Sequence, residues 1–384
     1  MPTRSTPADP AGGAAGLAPS GVSARESAAL GAIAARCILC GADDAVPVLV
    51  SGSRDRESPP PERFQLVRCR RCTLHFLHPQ PDADTLKTYY PEDYYAYTQT
   101  ELLPITIHRT SVSERLGWWT KRGIRRAFHG YPCPGGVAAR WALRLVLWPL
   151  WIRMRLLGKD LKVLPYHGAG RLLELGCGAG SSLDYQRFYG FQVTGVEPSA
   201  AAARVARTRY GLEVRVGALE DARFPERSFD VAHLSHVFEH LSDPVATLRE
   251  LHRVLEPEGL LVLKLPNIAG VSAGRFGPFW LGLDLPRHLY HFSPETITAL
   301  LQRHGFAVRA IRHDVGSWGF WRESRRLQHR HAGGGALREA WWRDWVDQAA
   351  ETRACWRGAG STMVVYAQKT SRAWRRAIAI EGQA

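Results

Sequence analysis

The chain predicts an α/β fold built on a doubly wound parallel sheet, and three observations predict it. Residues 171–314 alternate short apolar runs with longer amphipathic stretches, the pattern of strands and helices taken in turn. Within them, the run Leu172, Leu173 and Leu175 leads into Gly176, Gly178 and Gly180, where a buried strand must turn sharply into a helix. The next strand ends in Glu197, 21 residues beyond Gly176, where a carboxylate can accept hydrogen bonds from both ribose hydroxyls of an adenosine.

Each element follows from local pattern. RLLEL is a strand, and SSLDYQRFYG after the glycine turn is a helix. FQVTGVE is the second strand. It leads to a helix over PSAAAARVARTRYG, with Ser199 as N-cap and Gly211 as stop. LEVRVG reads as a third strand, and a loop then brings a fourth with Asp230 at its start. HVFEHLSDPVATLRELHRVLEPEGLLVLKLPN supplies a helix, a Pro-Glu-Gly turn and a fifth strand. A further helix, capped by Ser293 with Glu295 close behind, precedes a sixth strand, and STMVVYAQKT at 361–370 is the last. No internal repeat interrupts this order.

Composition bounds the class. A length of 384 residues suggests two to three domains, and 45% hydrophobic residues allow a full-sized core. No uncharged apolar run is long enough for a transmembrane helix. Residues 1–35, rich in Ala, Gly, Pro and Ser without a continuous apolar segment, read as a disordered tail and not a signal peptide. Seven cysteines, four of them in two Cys-x-x-Cys pairs, suggest a reducing compartment and a metal, hence a cytoplasmic protein. The net charge of +14 suits acidic partners such as nucleic acid, nucleotide sugars or anionic lipid surfaces. A coding bias towards Arg would give the same excess.

The first ordered unit falls at 36–80. Cys37 and Cys40 pair with Cys69 and Cys72 across 28 residues, and two such turns complete a Cys₄ tetrahedron, the closed arrangement of a structural Zn²⁺. His75 and His78 are nearby spare ligands that fit better as surface or packing residues. Residues 81–165 form a Tyr-rich linker and a helical Trp- and Arg-rich segment. Tyr89, Tyr90, Tyr94 and Tyr95 either pack the Cys unit on the main domain or present a phenol to substrate. Leu145–Ile152, flanked by Arg144, Arg153 and Arg155, is too short and too charged to span a bilayer. It could lie at a membrane surface, kinked or split at Pro149. The favoured expectation is a helix packed on the domain edge, because exposed Trp is unfavourable.

The glycine spacing separates two nucleotides. A dinucleotide site wants Gly-x-Gly-x-x-Gly, whereas this chain has Gly-x-Gly-x-Gly preceded by Glu174. That motif resembles the first motif of class I S-adenosylmethionine-dependent methyltransferases. VEPS, FPERSFDVAHLSHVFEHLSDP, LHRVLEPEGLLVLKLPN and PRHLYHFSPETITALLQRHGF extend the resemblance to ubiquinone-pathway O-methyltransferases and to enzymes of glycan and natural-product clusters. The double Cys-x-x-Cys followed by HPQP and tyrosines is similar to deoxysugar C-methyltransferases. The resemblance covers 171–314 well, 36–99 moderately, and leaves 105–165 and 315–360 uncovered. It implies a seven-stranded Rossmann-like sheet over 166–370 whose last strand runs antiparallel. A helical insertion at 315–360 precedes that strand, and a tail follows at 371–384.

The resemblance also implies a site. Gly176, Gly178 and Gly180, beside Glu174, line the methionine moiety and ribose of S-adenosyl-L-methionine, and Glu197 holds the ribose hydroxyls. Leu219 and Glu220 border adenine, after Ala218 where many relatives carry an acidic residue, and His236 sits near the sulfonium. Methyl transfer then needs alignment and a base, for which Glu239, His240, His288 and His291 are the candidates. In relatives a Glu-His pair at this point serves as base or helps bind a divalent ion. Capping and packing are the plainer roles for Glu239 and His240, and packing for His288 and His291. Cys177 fits the turn by its size and has no nucleophilic role.

The expected function is methyl transfer to a hydroxyl or activated carbon of a small or lipid-linked, glycan-related acceptor. RNA methylation is the rival within the enzyme class, motivated by the charge and the Cys unit. HLSHVFEH stands where base N-methylating enzymes carry an Asn/Asp-Pro-Pro-Tyr element, which disfavours that target. A non-catalytic binding module would not need the intact glycine turn and Glu197. Trp318, Trp321, Trp341, Trp342 and Trp345 mark 315–360 as a lid or a docking face.

Overall fold

The structure, a computed structural model, describes residues 34–52, 63–90, 112–332 and 341–370. Tyr94 and Tyr95 lie outside the described residues. The chain begins with an antiparallel meander of β1 (Ala45–Gly52), β2 (Arg63–Cys69) and β3 (His75–His78). A short helix α1 (Ala83–Thr88) follows, and then a helical hairpin of α2 (Val112–Phe128) and α3 (Gly136–Leu156). The alternating region is β4 (Arg171–Leu175), α4 (Ser181–Phe188), β5 (Gln192–Glu197), α5 (Ala200–Tyr210), β6 (Glu213–Val216), β7 (Phe229–Ser235), α6 (Pro244–Val254) and β8 (Leu255–Pro266). The remainder is α7 (Val271–Phe276), β9 (Tyr290–His291), α8 (Pro294–Arg303), β10 (Phe306–His313), α9 (Gly319–His331), α10 (Trp341–Trp356) and β11 (Thr362–Lys369).

Seven strands form one sheet in the order β10-β11-β8-β7-β4-β5-β6. The central strands run parallel, and β11 is antiparallel to both β8 and β10. β4 and β7 are buried along nearly their whole length, as central strands of a sheet covered on both faces are. From β4 the connections step outward to β5 and β6 on one side and to β7 and β8 on the other. The β4–β7 boundary is therefore a topological switch point, whose carboxyl-end crevice is the place where such sheets bind ligands. The predicted fold, including its antiparallel last strand, is the one observed.

Helix ends follow the expected chemistry with one substitution of partner. Ser199 accepts from the Ala202 amide and Gly211 closes α5 at φ 62°. Ser293 caps α8, but Thr296 and not Glu295 completes the box, its hydroxyl accepting from the Ser293 amide at 2.9 Å. A threonine three residues on can reach back as a glutamate does.

The Cys unit shares its sheet with the main domain. β9 pairs antiparallel with β3, making a four-stranded sheet in the order β1-β2-β3-β9, and the Leu77 amide donates to Leu289. Phe64, Leu66 and Leu77 belong to the same buried cluster as Leu263, Leu289 and Phe292. The Arg303 guanidinium of α8 donates to the Leu39 carbonyl. Residue 80, drawn above as a domain boundary, is not an edge of the core.

The hairpin departs from expectation. α3 runs unbroken through Pro149 and buries none of its residues. It packs on α2, where a Cβ on Gly123 would come within 2.6 Å of Leu147, but its outward face is not laid on the domain edge. Leu145 is 77% exposed and Val146 75%. The packing argument from tryptophan fails because Trp141 and Trp148 also face outward.

Candidate active site

The glycine turn joins β4 to α4 at the sheet's carboxyl edge. Gly176 takes φ 63° and Gly180 φ 89°, conformations that disfavour a side chain. Space forbids one as well: a Cβ on Gly176 would lie 2.4 Å from Val237, and one on Gly180 2.7 Å from Leu212. Gly178, also left-handed, donates its amide to Glu197 Oε2 at 2.8 Å, and Ser199 donates to Oε1 at 2.9 Å. Glu197 thus ties the turn to the end of β5. Burial pushes its carboxyl up, and these two amides oppose the rise. A carboxylate offers about four acceptor sites, so two remain for a diol.

Glu174 lies beneath the turn at 2% exposure. Its Oε1 accepts from Ser182 at 2.7 Å and meets His233 Nδ1 at 2.8 Å, while Oε2 is buried without a partner among the described residues. Leu219 is buried. Glu220 is exposed, and its carboxylate accepts from Thr247 on α6 at 3.0 Å. Next to Ala218, Asp221 accepts the Ala218 amide at 3.3 Å. Cys177 is buried against Gly195, where a Cβ would sit 2.6 Å from its sulfur. The turn therefore presents backbone amides and glycine faces over a buried acid, a cradle that fits the adenosine and methionine parts of S-adenosylmethionine.

A second cluster lies just beyond β7. His236 sits at φ 56°, an uncommon conformation for a residue with a side chain, and its ring lies 6.5 Å from that of Phe320. Phe320 belongs to the helical insertion, which thereby reaches this edge of the sheet. The turn Phe238–His240 follows, and α6 is capped by Asp243 and not by Glu239. Glu239 is buried at 1% exposure, with His236 Nδ1 at 3.5 Å and His288 Nε2 at 4.0 Å from its Oε1. Neither of its oxygens has a hydrogen-bond donor among the described residues. Burial pushes this carboxyl up, but His236, His288 and His240 together hold it down, at about 2.

The imidazoles are held in defined orientations. His240 Nδ1 lies 2.9 Å from the Tyr90 hydroxyl and 3.1 Å from the Arg287 carbonyl, which leaves Nε2 as the lone-pair nitrogen. Burial and the neighbouring His288 hold its pKa down at about 4, so the ring is a neutral base near pH 7. His288 Nδ1 faces the Gly282 carbonyl at 2.9 Å, turning Nε2 towards Glu239 and towards Asp284 at 3.8 Å. The His240 and His288 rings meet edge to face at 4.5 Å. Donor atoms of Glu239, His240 and His288 all lie within 4.8 Å of one another, a set that could hold a divalent ion. His291 stands behind, its Nε2 on the Leu283 carbonyl at 3.0 Å and its Nδ1 buried without a partner among the described residues.

Two contributors were not singled out from sequence. Asp284 is gripped by Arg287 at 2.7 and 3.0 Å, and Arg287 also reaches the Tyr89 carbonyl at 3.4 Å. The tyrosine cluster divides its roles: Tyr89 is buried against Phe64, whereas Tyr90 touches His240. The charged pair at 284 and 287, three residues apart beside two histidines, was the available signal for the first.

The four cysteines converge as expected. Cys37 and Cys72 sulfurs are 3.4 Å apart, Cys40 and Cys69 3.5 Å, and all four lie within 4.8 Å. A tetrahedron with metal–sulfur bonds of about 2.3 Å has edges of about 3.8 Å, so the spacing fits zinc. Burial pushes the Cys37 thiol up to about 11, so a bound cation would have to displace that proton.

A family model described as a methyltransferase domain matches residues 152–311. The chain is 33% identical over 147 residues to a probable S-adenosylmethionine-dependent methyltransferase of Mycolicibacterium smegmatis, covering 38% of this chain and 55% of that one. It is 31% identical over 131 residues to a malonyl-[acyl-carrier protein] O-methyltransferase of Serratia marcescens, covering 34% and 51%. Against a ubiquinone biosynthesis O-methyltransferase of Xanthomonas oryzae pv. oryzae it is 32% identical over 131 residues, covering 32% and 54%. The chain spans about half the length of these relatives. Residues 152–311 are thus similar to a methyltransferase domain, and the proteins the chain resembles are S-adenosylmethionine-dependent methyltransferases and O-methyltransferases.

Proposed function

We propose that this chain transfers a methyl group from S-adenosylmethionine to a hydroxyl or activated carbon of a small or lipid-linked, glycan-related acceptor. The observation that carries this reading is Glu239: a buried carboxylate without a hydrogen-bond donor among the described residues, set amid three imidazoles at the ligand-binding edge of the sheet. A buried acceptor left unpaired is unfavourable unless a ligand completes it. S-adenosylmethionine, when bound, supplies a methyl group made electrophilic by its sulfonium.

The chain's own residues do the rest. Gly176, Gly178 and Gly180 give room for the cofactor, and Glu197 offers its free lone pairs to the ribose. His240 Nε2 takes the acceptor's proton, with Nδ1 fixed by Tyr90 and the Arg287 carbonyl. Glu239 stabilises the imidazolium that forms, and His288 orients Glu239. Cys37, Cys40, Cys69 and Cys72 would hold a structural zinc, since four thiolates would leave no open position.

The test is methyl-labelled S-adenosylmethionine with purified protein and host extract, separated into RNA, lipid and small polar fractions. Label is expected in the polar or lipid fraction and absent with Glu239→Gln or His240→Ala, while calorimetry shows unchanged cofactor binding. Label confined to RNA would overturn the acceptor class, and undiminished transfer by both variants would overturn the base.

A further inference from the structure

We propose that the outward face of the α2–α3 hairpin seats this protein on an anionic lipid bilayer. The inference does not depend on the acceptor and would stand if the acceptor were soluble. From residue 137 to residue 150, every exposed side chain of α3 is apolar: Val137, Ala138, Trp141, Ala142, Leu145, Val146, Trp148, Pro149 and Leu150. The two arginines in that stretch turn inward, Arg144 Nε donating to the Ala127 carbonyl at 2.7 Å and Arg140 to the Tyr131 carbonyl at 3.1 Å. The adjoining helix adds exposed Leu116 and Trp119. So large a continuous apolar face seldom stays in water.

Charge decides what covers it. Residues 115–159 contain ten Arg or Lys and no Asp or Glu, so this segment carries +10 of the chain's +14. Exposed Lys121 on α2 and Arg153 and Arg155 on α3 lie towards the C-terminal end of the apolar stretch, where Gly123 of α2 meets Leu147. Apolar side chains entering the headgroup boundary beneath a cationic rim are what a bilayer rich in acidic lipid accommodates. A second copy would bring +10 against +10. Nucleic acid would satisfy the charge but could not bury Leu145, Val146 and Val137. No helix among the described residues is long and apolar enough to cross a membrane, so the hairpin would lie in the interface plane. The Trp356 indole of α10 donates to the Leu156 carbonyl at 3.2 Å and is itself exposed, extending the aromatic surface at the end of α3.

The experiment is flotation of the full chain with extruded vesicles of phosphatidylcholine alone or with about 30% phosphatidylglycerol. The protein should float with the anionic vesicles, and roughly 0.5 M salt should weaken this severalfold. Leu145→Glu with Val146→Glu should lower partitioning at least tenfold or so, because two carboxylates would enter the headgroup boundary. Lys121→Gln with Arg153→Gln should lower it by roughly fivefold for each charge. All four sites are exposed, so unfolding temperature and cofactor binding should not change. Absence of flotation, or flotation unaffected by the glutamates, would overturn the proposal. So would a wild-type dimer, or binding to single-stranded RNA, that the glutamate variant abolishes while flotation persists.

Discussion

The Cys unit and the α2–α3 hairpin both precede the seven-stranded sheet, and they are attached to it in opposite ways. The Cys unit gives β3 to β9 and shares one apolar cluster with the main domain, so its backbone and its core continue into the site. The hairpin is held at its turn, where Ile124, Arg125 and Tyr131 are buried and Arg125 lies 3.4 Å over the Tyr189 ring, and at the end of α3, where the Trp356 indole donates to the Leu156 carbonyl. Between these two points the outward face of α3 is uncovered. The difference shows which attachment can affect chemistry: β9 begins two residues after His288, whereas Leu145 and Val146 of the hairpin are exposed.

The sharpest way to break this comparison is to open the cluster of four cysteines, which could hold a zinc ion. Cys69→Ser should lower stability by at least about 3 kcal/mol, since it removes one of four thiolates from a buried cluster. Methyl transfer should fall with it, because β3 would no longer hold β9 and the His288 loop. Thermal unfolding with and without a chelator, beside a zinc-to-protein ratio, checks both effects. The hairpin pair Leu145→Glu and Val146→Glu should stay within about 0.5 kcal/mol of wild type and keep full activity on a soluble acceptor. Equal losses from the two variants would erase the distinction.

Next in size is a change confined to the site. Glu239→Gln keeps the shape but removes the charge beside three imidazoles, and should slow transfer about 10²–10⁴-fold. Cofactor affinity should be unchanged, because Glu197 and the glycine turn are untouched. Tyr90→Phe removes only the hydroxyl at His240 Nδ1, and about a tenfold loss is expected. The ratio of these losses measures how much the Cys-unit side contributes through Tyr90.

The sheet was legible because strand and glycine chemistry is local. Gly176 and Gly180 announce themselves through spacing, and their neighbours Val237 and Leu212 explain why nothing larger fits. The four cysteines were legible for the same reason, as two short turns. Tyr90, Asp284 and Arg287 were harder: each gains meaning from a partner 150, three or 198 residues away. The hairpin misled because the argument that apolar side chains become buried assumes that the chain itself supplies the cover. At Trp141 and Leu145 it does not.

Acid should loosen the root of the hairpin in a characteristic direction. Burial, opposed by Asp160 and aided by Arg125, Arg312 and Arg155, holds the His129 pKa down at about 4. The unfolded chain would protonate His129 near pH 6.5, so it binds more protons than the folded chain between these values. This contribution is therefore complete above pH 6.5 and is lost as pH falls towards 4, on the order of 2 kcal/mol. His129→Phe should remove that part of the slope. Hydrogen exchange should show α2 and α3 losing protection in wild type over this window and less so in the variant. His75 in the Cys unit is lowered in the same direction, also to about 4, so β1–β3 must be followed separately.

The smallest expected effect belongs to the Cys unit alone and runs towards stability. Its two turns are built alike: the Gly41 amide donates to Cys37 at 2.9 Å, and the Thr73 amide to Cys69 at 3.0 Å. Both fifth residues are left-handed, Gly41 at φ 71° and Thr73 at φ 62°. Glycine adopts that conformation freely, but a β-branched residue is strained there by about 1–2 kcal/mol. Thr73→Gly removes the strain and gives back about 0.5–1 kcal/mol through the greater freedom of the unfolded chain. A net gain of about 0.5 kcal/mol should appear in denaturant titration of the zinc-loaded protein, with activity unchanged. A loss instead would mean that the threonine side chain holds the second turn in place, and the two halves of the cluster would not be equivalent.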